Sequence, residues 1–333
     1  MKRPLLSEFD VVTLGEPLLR FTPAGMRRIE GSMVWDIQVG GSELNTAVGL
    51  ARLGLRVNYL TRLTENALGR HIRTTLAAHG IGTDTIVWTS DDRVGVYYLE
   101  QGAAPRQAQV IYDRAGSAAS NMRPHDLPDK LFEPNRASLF HATGISLAVS
   151  PSLYETTLTA AQRAKEAGWR ISFDVNYRSK LWSYADALTS CQPLLGIADV
   201  IFTPLRDALK LWNLGDAKPE QVLEVMHTHY PRAVCVLTVG AEGALTVNAN
   251  GQVWQQPAFE TQIVDRIGGG DAFTAGFLYA LLTRSDSDAG EWLRWGCAAA
   301  ALKYTIPGDL PLFTLEEVIT LVGAEQRGGD VVR

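Results

Sequence analysis

Residues 261–282 read TQIVDRIGGGDAFTAGFLYALL, and this stretch decides how the rest of the chain is interpreted. Ile263 and Val264 form an apolar strand end, Gly268, Gly269 and Gly270 let the backbone turn with its N–H groups exposed, and Asp271 stands where a helix begins. Helix N-termini attract anions, so the turn reads as a phosphate site. An ionised carboxylate beside that phosphate is placed to take a proton from an attacking hydroxyl. The same pattern suits a plain N-cap residue, and spacing alone leaves that alternative open. Ala272, Ala275 and Gly276 keep the helix slim enough to pack closely on a sheet. The stretch is not a dinucleotide fingerprint, because Phe273 stands where the third glycine belongs, and the chain contains no G-x-x-x-x-G-K-[ST] loop.

The 333 residues suit one large unit, and a 46% hydrophobic, 20% charged composition can bury a sizeable core. A net charge of −5 with interspersed basic residues argues against nucleic acid or an anionic membrane as the main partner. Cys191, Cys235 and Cys297 are far apart with no metal-type pairing, as expected of reduced thiols in a cytosolic protein. His227 and His229 point to different faces of a helix and read as surface residues rather than ligands. The N-terminal MKRPLLSEFD has no long apolar run, and no segment reaches transmembrane length, so a cytoplasmic location is expected.

DVVTLG at 10–15 is a buried first strand, and Glu16 and Arg20 just beyond it read as solvated charges, with a site role the weaker alternative. Residues 17–37 look like irregular strands outside the main sheet. VGGSELNTAVGLARLG at 39–54 is a paired-glycine turn into a helix, with Ser42 as N-cap and Asn45 facing whatever the glycines admit, or else satisfying backbone groups. GVYYLE at 95–100 and QVIYDR at 109–114 alternate as half-buried antiparallel strands. With 17–37 they predict a small sheet, a candidate lid over 17–37 and 94–115, with Tyr97, Tyr112 and Arg114 on one face as an aromatic wall and a fork for a carboxylate. From residue 138 the pattern alternates strand and helix, which implies a parallel sheet with helices on both faces. ISFDV leads to Asn176, Tyr177 and Arg178 at a strand's carboxyl end, where Arg178 taken alone reads as a solvated loop residue. Gly240 and Gly243 form a tight turn, either a hairpin or the floor of a nucleotide site. A helix over 315–324 and a loose Gly-Gly tail close the chain.

The glycine pair in VGGSELNTAVGLARLG and the later DRIGGGDAFTAGF, in that order and separation, identify a resemblance to the ribokinase-like, or PfkB-type, carbohydrate kinases over nearly the whole length. FDVNYRSKLW, GVYY, IYDRAGSA and IPGD resemble the branch acting on 2-keto-3-deoxygluconate. The resemblance implies a doubly wound, mostly parallel sheet flanked by helices with a small β-sheet lid, ATP as donor and Mg²⁺ as helper. It implies Asp271 as catalytic base and the backbone of Gly268, Gly269 and Gly270 as the hole for the transferring phosphoryl group. Gly40, Gly41, Asn45, Tyr97, Tyr112, Arg114, Arg178 and Asp309 match acceptor-binding positions, the arginines answering a carboxylate. Asn176, Arg178, Thr238, Gly240, Gly243, Gly268 and Gly270 match nucleotide-binding positions. Gly269 replaces a common alanine, Arg266 and Ile267 replace small hydroxyl residues, and the family's N-x-x-E is not readable in Thr203-Pro204-Leu205-Arg206-Asp207. Either Asp207 substitutes for that acid, or water and phosphates hold the metal. The expected activity is ATP-dependent phosphorylation of a sugar acid's primary hydroxyl, with a neutral-sugar kinase and a non-catalytic sensor as alternatives. Open lid edges favour a homo-oligomer.

Overall fold

A computed structural model describes residues 7–284 and 287–324. The first six residues and the Gly-Gly tail lie outside them. The main sheet takes strands β1 (Val11–Leu14), β4 (Val57–Leu60), β9 (Leu139–Thr143), β10 (Arg170–Asp174), β11 (Val200–Pro204), β12 (Val234–Thr238), β13 (Ala244–Val247) and β14 (Val253–Gln256). A small sheet takes β2 (Leu18–Pro23), β3 (Trp35–Gly40), β7 (Gly95–Glu100) and β8 (Gln109–Asp113), and β5 (Arg62–Thr64) pairs with β6 (Val87–Thr89).

The main sheet runs β14-β13-β12-β11-β10-β9-β1-β4, parallel from β12 through β4 and antiparallel at β13 and β14. Apart from the edge strand β14, its strands are buried on both faces, so successive side chains feed two cores. Val12, Phe140, Ile171, Ile201 and Leu237 join one with α4 (Pro151–Glu166), α5 (Tyr184–Leu195) and α7 (Pro219–His229). Val11, Leu139, Val200, Phe202 and Val236 join the other with α1 (Ser42–Arg52), α2 (Ala67–Ala78), α8 (Gly269–Thr283) and α9 (Ala289–Tyr304). Short helices α3 (Gly144–Ala148) and α6 (Leu205–Leu211) follow β9 and β11, and α10 (Leu315–Ala324) ends the described chain. This is the doubly wound layout expected. From β1 the chain steps to β4 on one side and returns to β9 on the other, a switch point at whose carboxyl edge a crevice opens.

Two expectations for the organising stretch are corrected. Ile263 and Val264 are exposed loop residues rather than a strand end. The sheet closes at β14, and the following segment crosses its end, with the N–H groups of Val264 and Asp265 both donating to the Tyr304 carbonyl. The small residues of α8 serve neighbouring helices more than the sheet. A Cβ on Gly276 would collide with the Trp295 carbonyl of α9, and one on Gly49 of α1 would lie 2.7 Å from the Ala275 Cβ. The small sheet runs β3-β2-β7-β8, and its central β2–β7 pair is parallel rather than antiparallel, because the chain travels through the main domain between them.

Candidate active site

A cleft of about 770 Å³ lies between the carboxyl edge of the main sheet and one face of the small sheet. Strand ends supply Glu16, Asp174, Asn176 and Thr238, while the starts of α1 and α8 supply Gly41, Ser42, Asn45, Gly268, Gly270 and Asp271. Tyr97, Tyr112 and Arg114 face it from the small sheet. Tyr97 and Tyr112 are directly opposed across β7 and β8, with ring centroids 5.7 Å apart.

Asp271 stands in the first turn of α8 and is 9% exposed. It is not a plain N-cap. Ser42 Oγ donates to its Oδ1 at 2.6 Å and Asn45 Nδ2 to its Oδ2 at 2.7 Å. Ser42 is itself held by Asn176 Nδ2 at 2.7 Å, so it is not the N-cap of α1, a position that Gly41 occupies at φ 141°. Asn176 adopts φ 40°, a left-handed conformation that asparagine tolerates, and this turns its amide into the cleft. Burial pushes the Asp271 carboxyl above the usual range, opposed by its bonds from Ser42 and Asn45 and by the charge of Arg178. Burial and the Asp271 charge push Asp174 up to about 7. Glu43 is also raised, chiefly by burial, although Thr143 Oγ1 and Ser146 Oγ both donate to it at 2.7 Å.

Glu16 and Arg20 are not solvated charges, being 3% and 1% exposed. Glu16 accepts from Arg114 Nε at 2.7 Å, again from Arg114 Nη2, and from Ser117 Oγ. The Arg114 fork therefore arrives at the cleft with its charge largely balanced. Arg20 Nη1 meets Asp309 Oδ1 at 2.5 Å, and Tyr97 OH donates to the other Asp309 oxygen. Asp309 thus ties β2 and β7 of the small sheet to the loop after α9. Arg178 lines the cleft, donates to the Tyr177 carbonyl at 3.2 Å, and pairs with no carboxylate among the described residues.

Of the residues expected at the site, Gly40, Gly243 and Gly269 do not line the cleft. Each permits close packing instead: Gly40 against the Asp309 carboxylate, Gly243 at φ 101° against the Gln256 carbonyl, and Gly269 against the Tyr304 ring. Gly240 and Gly243 belong to the β12–β13 hairpin, and Gly240 also lines the cleft. Asp207 is no cleft acid: it is buried, and Tyr184 OH donates to it at 3.2 Å. The described residues contain no cluster of three metal-type side chains. Sequence reasoning missed Glu43 and Asp174. The available signals were a first-turn acid in a helix with no exposed face, and an aspartate ending an otherwise apolar strand.

A family model described as pfkB family carbohydrate kinase matches residues 33–311. The 2-dehydro-3-deoxygalactonokinase of Haloferax volcanii is 40% identical over 321 residues, covering 96% of this chain and 98% of that one. The solved 2-dehydro-3-deoxygluconokinase of Thermotoga maritima is 31% identical, with a TM-score of 0.86 over 95% of this chain and 100% of its own. The structure of a fructokinase with bound ATP from Xylella fastidiosa is 26% identical, with a TM-score of 0.81 over 95% of this chain and 98% of its own.

Proposed function

Because this chain belongs to the pfkB family of carbohydrate kinases, we propose that it transfers the γ-phosphoryl group of ATP to the primary hydroxyl of a 2-keto-3-deoxy sugar acid, with 2-keto-3-deoxygluconate the first acceptor to try. The observation that carries the reading is one cleft holding an oriented carboxylate, Asp271, and an arginine, Arg178, that has no carboxylate partner among the described residues. The relatives named for 2-dehydro-3-deoxy sugar acids support the same class of acceptor.

In this reading Ser42 and Asn45 hold both oxygens of Asp271 so that it takes the proton of the attacking hydroxyl. The amides of Gly268 and Gly270, which line the cleft at the start of α8, offset charge on the transferring group. Thr238 and Gly240 lie under the nucleotide. Arg178, with Arg114 behind it, answers the acceptor's carboxylate, while Gly41, Tyr97 and Tyr112 form the walls. Asp174 lines the cleft with one oxygen bonded to the Asn176 N–H at 2.9 Å, and its other oxygen would help hold Mg²⁺ alongside phosphates and water. Bound there, Mg²⁺ would neutralise phosphate charge.

The whole chain is read as one kinase unit in which the small sheet is the lid that excludes water. The lid's outer face carries Phe21, Ile37, Tyr98 and Ile111, with Ile37 and Ile111 about half exposed, and β3 and β8 are its edges. Pairing with a second copy through this face is proposed, and Ile37→Glu should shift the mass in solution to that of the monomer. Buried free cysteines support a cytoplasmic location, and no described helix is long and apolar enough to cross a membrane.

The deciding experiment measures ADP release with Mg-ATP across 2-keto-3-deoxygluconate, its galactonate epimer, fructose and ribose. Turnover of a keto acid supports the proposal. Turnover confined to neutral sugars overturns the acid specificity and leaves the transfer chemistry. Family membership and an intact Asp271 favour turnover over the sensor alternative.

A further inference from the structure

Lys303 in α9 is wholly buried and has no part in the proton transfer described above. Its Nζ donates to the Ile306 carbonyl at 2.9 Å, and its Cε would lie 3.3 Å from a Cβ on Gly268. It therefore sits directly behind the glycine turn, on the side away from the cleft. Two loops close around it. Asp265 accepts from the Ile267 and Gly308 N–H groups, each at 3.0 Å, which joins the segment before Gly268 to the one after Lys303. Arg20 Nη1 pairs with Asp309 at 2.5 Å, and Arg20 Nη2 lies 3.6 Å from Asp265. The Lys303 ammonium pairs directly with neither carboxylate but lies near enough to both for its charge to act on them, so two cations and two carboxylates share one largely buried region in which their formal charges cancel. A buried ammonium is costly, and an apolar side chain would fill the same space without that cost, so packing does not account for a lysine here.

We propose that Lys303 is a positioning residue for phosphoryl transfer. Its ammonium fixes the 306 carbonyl and balances Asp265 and Asp309, so that the glycine turn, which lines the cleft at Gly268 and Gly270, meets the incoming γ-phosphoryl group with no net negative charge behind it. The inference rests on the kinase reading of this cleft. Without the ammonium the cluster carries one excess negative charge at the place where phosphate must bind.

Lys303→Met keeps the length and volume of the side chain. For whichever acceptor the wild type phosphorylates, kcat should fall about 10- to 100-fold with the acceptor KM little changed, as expected of a single charge acting over several ångströms in a poorly screened interior. Calorimetry with Mg²⁺ and a non-hydrolysable ATP analogue should show binding weakened about fivefold or more, while ADP, which lacks the γ-phosphoryl group, should weaken less than about twofold. In Lys303→Ala, ethylammonium should restore analogue binding and ethanol should not. Should Lys303→Met fail to melt cooperatively, the rescue of Lys303→Ala decides. Equal weakening of ADP and the analogue, unchanged analogue binding, or rescue by ethanol as good as by ethylammonium would overturn the proposal. These binding measurements need no acceptor. A wild type that phosphorylates none of the sugar acids would therefore count against the proposed substrate, with the role of Lys303 decided separately.

Discussion

Ser42 Oγ and Asp271 Oδ1 are 2.6 Å apart, although 229 positions separate them in the chain. Ser42 has one proton to donate, and because it accepts from Asn176 Nδ2, that proton goes to the carboxylate. Such a bond favours the ionised form. In Ser42→Ala the Asp271 carboxyl should therefore rise further, moving the acid limb of the kcat/KM profile to higher pH and lowering turnover about tenfold at neutral pH. A pH–rate profile checks this, and an unmoved acid limb would exclude the role given to Ser42.

Asp271→Asn keeps the shape and removes the base. Turnover should drop on the order of 10²- to 10⁴-fold while nucleotide binding and cooperative melting persist. Loss of binding together with turnover would mean that the residue holds the fold rather than the proton.

Asp174 makes a prediction about stability. Its carboxyl is raised in the fold from 3.8 to about 7, so the folded chain binds that proton more tightly than the unfolded chain. The stabilisation from this proton is fully present below the unfolded value and disappears as pH rises through about 7. At pH 8 the ionised, half-buried carboxylate burdens the fold. Asp174→Asn should accordingly raise the melting temperature at pH 8 by about 2–4 °C, and the gain should shrink as pH falls toward 4. Melting curves of both proteins across this range test the sign.

The two arginines should separate. Arg178→Ala should raise KM for a sugar acid by about 10- to 100-fold and leave slow turnover of neutral sugars unchanged, because a charge-assisted contact specific to the acid is lost. Arg114→Ala should instead lower the melting temperature markedly, because Glu16, whose side chain is 1% exposed, is left buried without its partner. Adding Glu16→Gln should recover part of that loss. Equal behaviour of Arg178→Ala and Arg114→Ala in both measurements would refute this division.

The layout of the main sheet was legible because strands buried on both faces read as apolar runs, and their regular alternation with helices from residue 138 onward admits few other architectures. Asp271 and the glycine turn were legible because a helix start is local. What sequence could not carry was partnership across the chain. Glu16 and Arg20 look like surface charges until Arg114 and Asp309 are brought against them from 98 and 289 positions away. Gly40, Gly243 and Gly269 sit inside motifs whose neighbours touch the cleft, but the atoms behind them, from Asp309, Gln256 and Tyr304, come from other elements. Ile263 and Val264 were misread because two adjacent β-branched residues carry strand propensity even where no sheet neighbour remains to pair with them.

The glycine of α8 that admits the Trp295 carbonyl and the glycine of α1 that admits Ala275 leave those three helices no room to slide. Asp271 and the glycine turn stand on those closely packed helices, whereas Tyr97, Tyr112, Arg114 and Arg178 sit on strands and loops at their margin. On the proposed reading, substitutions at those marginal side chains would alter which acceptor is held while leaving the packing beneath Asp271 untouched.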